Sequence, residues 1–156
     1  MALNDVVVHK AGVARVILLR VSLGDEEIGL YRADGIIVAT ATGSTAYNLS
    51  AGGPVVLPGV DALVITAICP HTLAVRPIVV PGSAAVTVEV VPPGVKDVWV
   101  SYDGQVGRAL KRGDRVVVRR GDTAVRLVRL AKEGFFARMR HKLQWGDVGD
   151  RDRAGS

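Results

Sequence analysis

The sequence has 156 residues, enough for one domain with a buried core, and 49% of them are hydrophobic whereas only 4% are aromatic. It contains no apolar run long enough to span a membrane, no signal-peptide pattern and a single cysteine, Cys69; an intrachain disulfide is therefore excluded and a cytoplasmic protein is expected. The net charge of +5 is uneven, because residues 1–107 carry 6 Lys and Arg against 9 Asp and Glu, whereas residues 108–156 carry 14 against 6.

Most of the chain is predicted to form short β-strands. The apolar residues are chiefly Val, Ile, Leu and Ala, and they occur in short runs separated by Gly, Pro and Asp. The Asp103-Gly104 pair predicts a tight turn. The predicted strands cover residues 5–9, 14–23, 26–32, 35–40, 62–69, 76–80, 85–91, 97–102, 115–120 and 124–130.

Two segments are predicted to be helical. One runs from about Thr45 into the region of Ser50 to Gly52 and ends at Gly52-Gly53-Pro54, and the other covers residues 133–143. We therefore predict a mainly β fold, a β-sandwich of two packed sheets with one glycine-framed helix and a short C-terminal helix, within residues 1–145. The polar residues 146–156 are predicted to form a disordered tail.

The segment TATGSTAYNLSAGGP at residues 40–54 is the strongest candidate for a binding loop, because it follows a strand and is rich in hydroxyl groups and glycine. It lacks the lysine of a Walker A motif and does not match G-x-G-x-x-G. Two interpretations remain open on the residues alone. The loop either presents helix-start N–H groups to an anionic or polar ligand, with Tyr47 facing a purine ring, or is a helix capped by Ser44 or Thr45 with nothing bound.

Five motifs, found in a fixed order along the chain, favour the ligand-binding interpretation of this loop. They are AxNDVV at the start, ADG before the strand at 35–40, TGSTAYxLSAGGP, ICPHTLxxRP at 68–77 and DGQ at 103–105. Together they closely resemble NAD kinases over nearly the whole chain. The resemblance implies transfer of the γ-phosphoryl group of ATP to the 2′-hydroxyl of the adenosine ribose of NAD, giving NADP. It also implies that this chain is the C-terminal β-sandwich domain that supplies most of the NAD site.

The resemblance further implies individual NAD-binding residues. Asn4 and Asp5 match an Asn-Glu pair that holds the nicotinamide ribose, although Asp5 is one methylene shorter than the usual Glu. Arg32 and Asp34 match a pair presented to the site of a neighbouring subunit, so a homodimer or homotetramer is expected. Ala41 stands where the family has Pro. The remaining implied contacts are Arg15, Thr45, Ala46, Tyr47, Asn48, Leu49, Ser50 and Gln105.

The family's catalytic GGDGT loop, whose Asp acts on the 2′-hydroxyl, has no counterpart in these 156 residues. We therefore expect no catalytic residue here, and we expect ATP and Mg²⁺ or another divalent metal to be used by the full-length enzyme. No metal-ligand cluster is recognisable in the sequence. Two alternatives stay open: a non-enzymatic NAD-binding module, and a basic β domain that binds nucleic acid. The basic residues 108–156 favour the latter, but seven aromatic residues offer little for base stacking.

Overall fold

The structure, a computed structural model, describes residues 1–12, 16–92, 97–126, 128 and 134–144. Its strands are β1 (Asp5–Lys10), β2 (Ile17–Leu23), β3 (Glu26–Ala33), β4 (Gly35–Thr40), β5 (Ala62–Ile68), β6 (Ile78–Pro81), β7 (Val86–Val91), β8 (Val98–Tyr102), β9 (Gln105–Leu110) and β10 (Arg115–Val118). A 3₁₀ turn (Gly43–Thr45) precedes the short helix α1 (Tyr47–Ser50), and a second helix, α2, spans Phe135–Leu143.

The described strands form two antiparallel sheets. Sheet A has the order β6-β5-β4-β1-β8-β9, and sheet B has the order β10-β7-β2-β3. The mainly β prediction, with two packed sheets and two short helices, is confirmed. Contacts divide the chain into two compact units, Met1–Ala124, which holds both sheets, and Val125–Ser156, which holds α2.

The main core lies between the two sheets because inward-facing side chains alternate along their strands. Sheet A contributes Val8, Ile36 and Val38, and sheet B contributes Leu19 and Val88, all at most 2% exposed. These Val, Ile and Leu side chains are branched and suit a pleated, buried surface. They explain how a chain with few aromatic residues can still fill a sandwich.

Two strand predictions differ from the structure. Strand β9 was not predicted, although it pairs with β8 directly across the Asp103-Gly104 turn. The predicted strand at 124–130 is wrong for residues 124–126 and 128, which lie outside any strand; the others fall outside the described residues. A strand needs a hydrogen-bonded neighbour, and apolar alternation alone does not supply one. The predicted tail at 146–156 also lies outside the described residues.

Candidate functional site

The segment that follows β4 folds back over the outer face of sheet A, which is the face turned away from sheet B. Ala41 and Val56, at its two ends, pack on Ile37, Ala39 and Val64, together with Val7. These sheet residues alternate with the main-core residues on the same strands, so they must face the other way. Residues 41–56, called the binding loop below, therefore have a small apolar base of their own.

Ser44 closes the binding loop rather than capping a helix. The side chain is fully buried, and its hydroxyl lies 2.7 Å from the carbonyl oxygen of Ala41. The hydroxyl oxygen of Ser44 in turn accepts a hydrogen bond from the backbone N–H of Val56 at 2.9 Å, which ties the beginning of the loop to its end. Helix α1 begins at Tyr47 after Ala46, with no side-chain cap. The capped-helix interpretation, with Ser44 or Thr45 as the cap, is therefore wrong in this detail.

Asn48 is the second closing residue, and its amide is fully used. The amide nitrogen donates to the carbonyl oxygens of Ser44 at 3.0 Å and Pro54 at 3.1 Å. The amide oxygen accepts a 2.7 Å hydrogen bond from the hydroxyl of Thr66 on β5. Gly53 lies against this amide so closely that a Cβ there would be 2.0 Å from the oxygen. With no exposed surface, the Asn48 side chain holds the loop together and attaches it to the sheet.

The segment before β1 is held between the binding loop and the β8–β9 turn. On one side, the backbone N–H of Thr40 donates to the Asn4 carbonyl at 2.9 Å. The Thr40 hydroxyl donates to the carbonyl of Leu3 at 2.7 Å. On the other side, the carboxylate of Asp103 accepts the N–H groups of Leu3, Asn4 and Asp5. Asn4 and Asp5 therefore have a fixed backbone beside the loop.

The carboxylate of Asp5 has unused hydrogen-bonding capacity. The residue is only 5% exposed, and within the described part of the chain its carboxylate has no hydrogen bond or ion pair. No completely buried polar side-chain atom in the described residues lacks a partner, so these oxygens must still reach the surface. Burial raises the pKa of Asp5, and the neighbouring carboxylate of Asp103 raises it further. Such a group is suited to accept hydrogen bonds from a ligand.

The other loop residues in the predicted site differ in exposure. Tyr47 is 46% exposed, Ser50 is exposed, and the remaining three, Thr45, Ala46 and Leu49, are partly buried. Gln105 is exposed at the start of β9, directly after the turn that holds Asn4 and Asp5. Residues 4, 5 and 105 thus lie at the end of sheet A where the loop leaves β4, whereas residues 45–50 lie on the outer face of the sheet, where Asn48 reaches Thr66 in the middle of β5.

Arg32 and Asp34 lie apart from Asn4, Asp5 and Gln105. The register pairs Asp5 with Ala39 and His9 with Gly35, so the chain near Asp34 lies at the opposite end of β1. That strand is about 17 Å long at 3.3 Å per residue. Asp34 forms an ion pair with Lys10 at 2.8 Å, which the sequence did not indicate. Arg15 lies outside the described residues.

The sequence analysis missed the roles of four polar residues that shape this site, because each of them acts by holding another residue in place. They are Thr40, Ser44 in its closing role, Thr66 and Asp103. The glycines of the loop were a usable sequence signal for these contacts, because glycine allows another group to approach the backbone closely. A Cβ on Gly43 would lie 2.0 Å from the carbonyl oxygen of Asn4, just as one on Gly53 would meet Asn48.

In the part of the chain that the structure describes, no group of three or more His, Cys, Asp and Glu side chains could hold a metal ion. No helix among the described residues is long and apolar enough to cross a membrane.

Comparison with known proteins agrees with this geometry. Residues 3–130 match the model of the ATP-NAD kinase C-terminal domain, so the chain belongs to that family. It is 49% identical to the NAD kinase of Gemmatimonas aurantiaca over 97% of this chain and 52% of the relative. It is 48% identical to that of Koribacter versatilis over 94% of this chain and 50% of the relative. The chain therefore spans about half the length of the curated relatives it matches.

Two solved structures share the fold. Yeast NADH kinase, crystallised in complex with NADH, superposes with a TM-score of 0.71 at 36% identity, covering 76% of this chain and 34% of that one. The NAD kinase of Archaeoglobus fulgidus, in complex with ATP, superposes with a TM-score of 0.68 at 30% identity, covering 78% of this chain and 46% of that one. The family resemblance inferred from the motifs is confirmed.

Proposed function

We propose that this chain is the NAD-binding and subunit-assembly domain of an NAD kinase, the enzyme that phosphorylates the 2′-hydroxyl of the adenosine ribose of NAD with ATP. The observation that carries the proposal is the construction of the binding loop. Ser44 and Asn48 use their polar groups inside the loop, which leaves Tyr47 and Ser50 exposed, and Asn4, Asp5 and Gln105 lie at the end of sheet A from which the loop starts.

The chemistry of these groups fits a dinucleotide. An ionised carboxylate accepts two hydroxyl hydrogen bonds at once, and Asp5 has the free capacity to hold the two hydroxyls of a ribose. Tyr47 offers a flat, partly exposed ring against which a base or nicotinamide can lie. Because these groups are fixed by the loop and the strand before binding, little ordering is required when the ligand arrives.

We assign the binding of ATP, the phosphoryl donor, to a part of the enzyme outside this chain. Phosphoryl transfer requires a phosphate cradle, a metal ion and a base placed on the acceptor hydroxyl. The sequence has no GGDGT loop, and no described cluster is suited to Mg²⁺. We place ATP, the divalent metal and the catalytic base in the portion of the relatives that this chain does not span. In this assignment, the residues of this chain bind and orient NAD. The expected location of the enzyme is the cytoplasm.

Binding of NAD tests the proposal directly. Titration calorimetry should show heat with the wild-type chain and a clear loss of affinity in Tyr47→Ala. The matched control is Val117→Ala on β10, which truncates another exposed apolar side chain, 57% exposed, on sheet B. Equal heats for the wild type and Tyr47→Ala would contradict the assignment of the loop.

An activity assay tests the division of labour. The 156-residue chain, with NAD, ATP and magnesium, should form no NADP alone, and adding the unmatched N-terminal part of the Gemmatimonas aurantiaca enzyme should restore some turnover. Turnover of about 1–100 per second by the chain alone would show that the catalytic base is present after all.

Assembly forms a separate part of the proposal. Asp34 lies at the opposite end of β1 from Asn4 and Asp5, and Arg32 lies on β3 of sheet B, so we expect them to contribute to NAD binding through a second subunit, as the family resemblance implies. Light scattering should therefore show a homodimer or homotetramer. A monomer at micromolar concentration would contradict the shared site but would leave NAD binding by the loop intact.

The nucleic-acid alternative predicts a different salt dependence. Contacts to a phosphate backbone weaken by roughly one power of salt concentration for each phosphate that is neutralised. A dinucleotide offers two phosphates, so its affinity should change far less between low and moderate salt.

A further inference from the structure

One carboxylate in the β8–β9 turn holds the segment that carries Asn4 and Asp5. The two oxygens of Asp103 accept three consecutive backbone N–H groups, from Leu3 at 2.7 Å, Asn4 at 2.6 Å and Asp5 at 3.1 Å. In return, the backbone N–H of Asp103 donates to the carbonyl oxygen of Asp5 at 3.1 Å. The turn and the segment are therefore bonded in both directions.

The turn itself does not require a carboxylate. Asp103 and Gly104 both have left-handed backbone angles, with φ of 48° and 76°, as expected for a two-residue hairpin turn in which both central residues are left-handed. Asn and Gly adopt this geometry at least as readily as Asp does. What Asp alone adds is a negatively charged pair of acceptors, and hydrogen bonds to a charged acceptor are about twice as strong as neutral ones.

The held segment connects the two parts of the proposed site. Its other side is fixed by Thr40 and by Gly43, whose Cα approaches the carbonyl group of Asn4 with no room for a side chain. Movement of the segment would therefore displace Asn4 and Asp5 relative to the binding loop. Without Asp103, three N–H groups would need water instead, and the segment would be held from one side only.

We propose that Asp103 is a positioning residue of the dinucleotide site, whose carboxylate fixes the backbone of residues 3–5 so that the side chains of Asn4 and Asp5 face the ligand. This inference rests on the proposed function, because it assumes that these two side chains contact NAD. Asp103 itself need not touch the ligand. It acts through the three N–H groups that it accepts.

The electrostatics of the pair provide a second signature. Although desolvation raises the pKa of Asp103, the hydrogen bonds from the N–H groups of Leu3, Asn4 and Asp5 outweigh it and leave that pKa below its usual value. The resulting negative charge raises the pKa of Asp5 beyond the effect of burial. Removing the charge should therefore lower the pKa of Asp5, a change that reports directly on the contact between the Asp103 carboxylate and the held segment.

The test compares Asp103→Asn with Asp114→Asn. The first variant keeps a residue that favours the left-handed turn but removes the charge and one acceptor. The second removes a similar interaction, the 2.8 Å hydrogen bond from the N–H of Lys111 to the carboxylate, in the β9–β10 turn. That turn follows Leu110, which pairs with Val98 at the other end of sheet A, so Asp114 is a matched control.

Three measurements are needed: amide shifts and exchange rates of residues 3–5 without ligand, the carboxyl titration of Asp5 followed by NMR, and NAD affinity followed by calorimetry. Asp103→Asn should expose the three amides, lower the pKa of Asp5 and weaken NAD binding by about 10-fold. Asp114→Asn should match the wild type in all three. If Asp103→Asn does not fold, Asp103→Gly, which also suits the turn, replaces it with the same expected results.

The outcomes separate the two claims. If the wild type binds NAD and Asp103→Asn binds it equally well, the positioning role is refuted while the proposed function stands. If the wild type does not bind NAD, the proposed function fails and the positioning role fails with it. Weakened binding with unchanged amides and an unchanged pKa of Asp5 would also refute the mechanism, because the effect would not pass through residues 3–5.

Discussion

Thr66→Val should loosen the binding loop while leaving the sheet beneath it intact. Thr66 is 1% exposed on β5, and its hydroxyl donates the 2.7 Å hydrogen bond to the Asn48 amide oxygen. Valine has nearly the same shape and at least as strong a preference for strands, so the substitution creates no cavity and does not weaken β5. Its only large effect is to leave the amide oxygen without a donor.

The magnitude follows from the surroundings of that oxygen. A buried polar group that loses its partner costs about 1–3 kcal/mol unless water can replace the partner. Asn48 has no exposed surface, and Gly53 lies so close that an added Cβ would be 2.0 Å from the oxygen, so there is no space for a water on that side. We therefore expect the free energy of unfolding to fall by about 1–3 kcal/mol.

Urea denaturation measures this loss, and NAD titration of the folded variant measures the effect on the loop. Thr66→Ser keeps the donor and should restore most of the NAD affinity, even though it leaves a methyl-sized void that costs about 1 kcal/mol of stability. Thr87→Val is the matched control, because Thr87 lies on β7 and its hydroxyl makes no hydrogen bond within the described residues. If Thr66→Val unfolds within about 0.5 kcal/mol of the wild type and binds NAD unchanged, the reasoning about Asn48 is wrong.

Three further predictions concern single side chains. The raised pKa of Asp5 means that ionising this carboxyl group at higher pH disfavours the folded state. Asp5→Asn should therefore raise the free energy of unfolding at neutral pH and lower the affinity for NAD, and the gain in stability should disappear as the pH falls below the usual carboxyl range. Equal unfolding curves for both proteins at pH 7 would contradict this. Gly53→Ala should cost about 1–3 kcal/mol in urea denaturation, since its new methyl group would overlap the Asn48 amide, and a neutral result would show that the loop can relax. Lys10→Gln breaks the ion pair with Asp34, in which the Lys10 and Asp34 side chains are 24% and 30% exposed. The free energy of unfolding, measured by thermal denaturation, should therefore change by less than about 1 kcal/mol. A larger loss would mean that this ion pair contributes substantially to the stability of the fold.

The sequence was informative where one pattern had one physical meaning. The apolar runs at 35–40 and 62–69 predicted strands, and the structure has β4 and β5 there, each buried along almost its whole length. Strand β9 carried no such pattern, because Gly107 interrupts it. The structure shows why glycine is there: a Cβ would lie 2.4 Å from the ring of Tyr102 and 2.7 Å from the carbonyl of Val100. Gly107 therefore weakens the sequence pattern of β9, yet its lack of a side chain is what allows β9 to pair with β8.

The site was predictable only in part, for a related reason. The motifs indicated the loop, the Asn4-Asp5 pair and Gln105; the structure places Asn4, Asp5 and Gln105 at the end of sheet A where the loop starts, with the loop itself on the outer face. The roles of Ser44 and Asn48 were not predictable, because hydroxyl and amide groups in a glycine-rich loop are equally suited to a ligand and to the loop's own backbone. Their burial distinguishes the two uses, and burial depends on β5 and Val56, which lie further along the chain.

The closed binding loop has a consequence for protein engineering. The residues that maintain its shape, Ser44, Asn48 and Gly53, are buried, whereas the exposed Tyr47 and Ser50 make no side-chain hydrogen bond within the described part of the chain. Under the proposed function, ligand preference and foldability are therefore encoded at separate positions of one short segment. A library of variants randomised only at these two exposed positions should contain few unfolded proteins and could be screened for binding of dinucleotide analogues. In a library randomised over the whole segment, most variants should misfold.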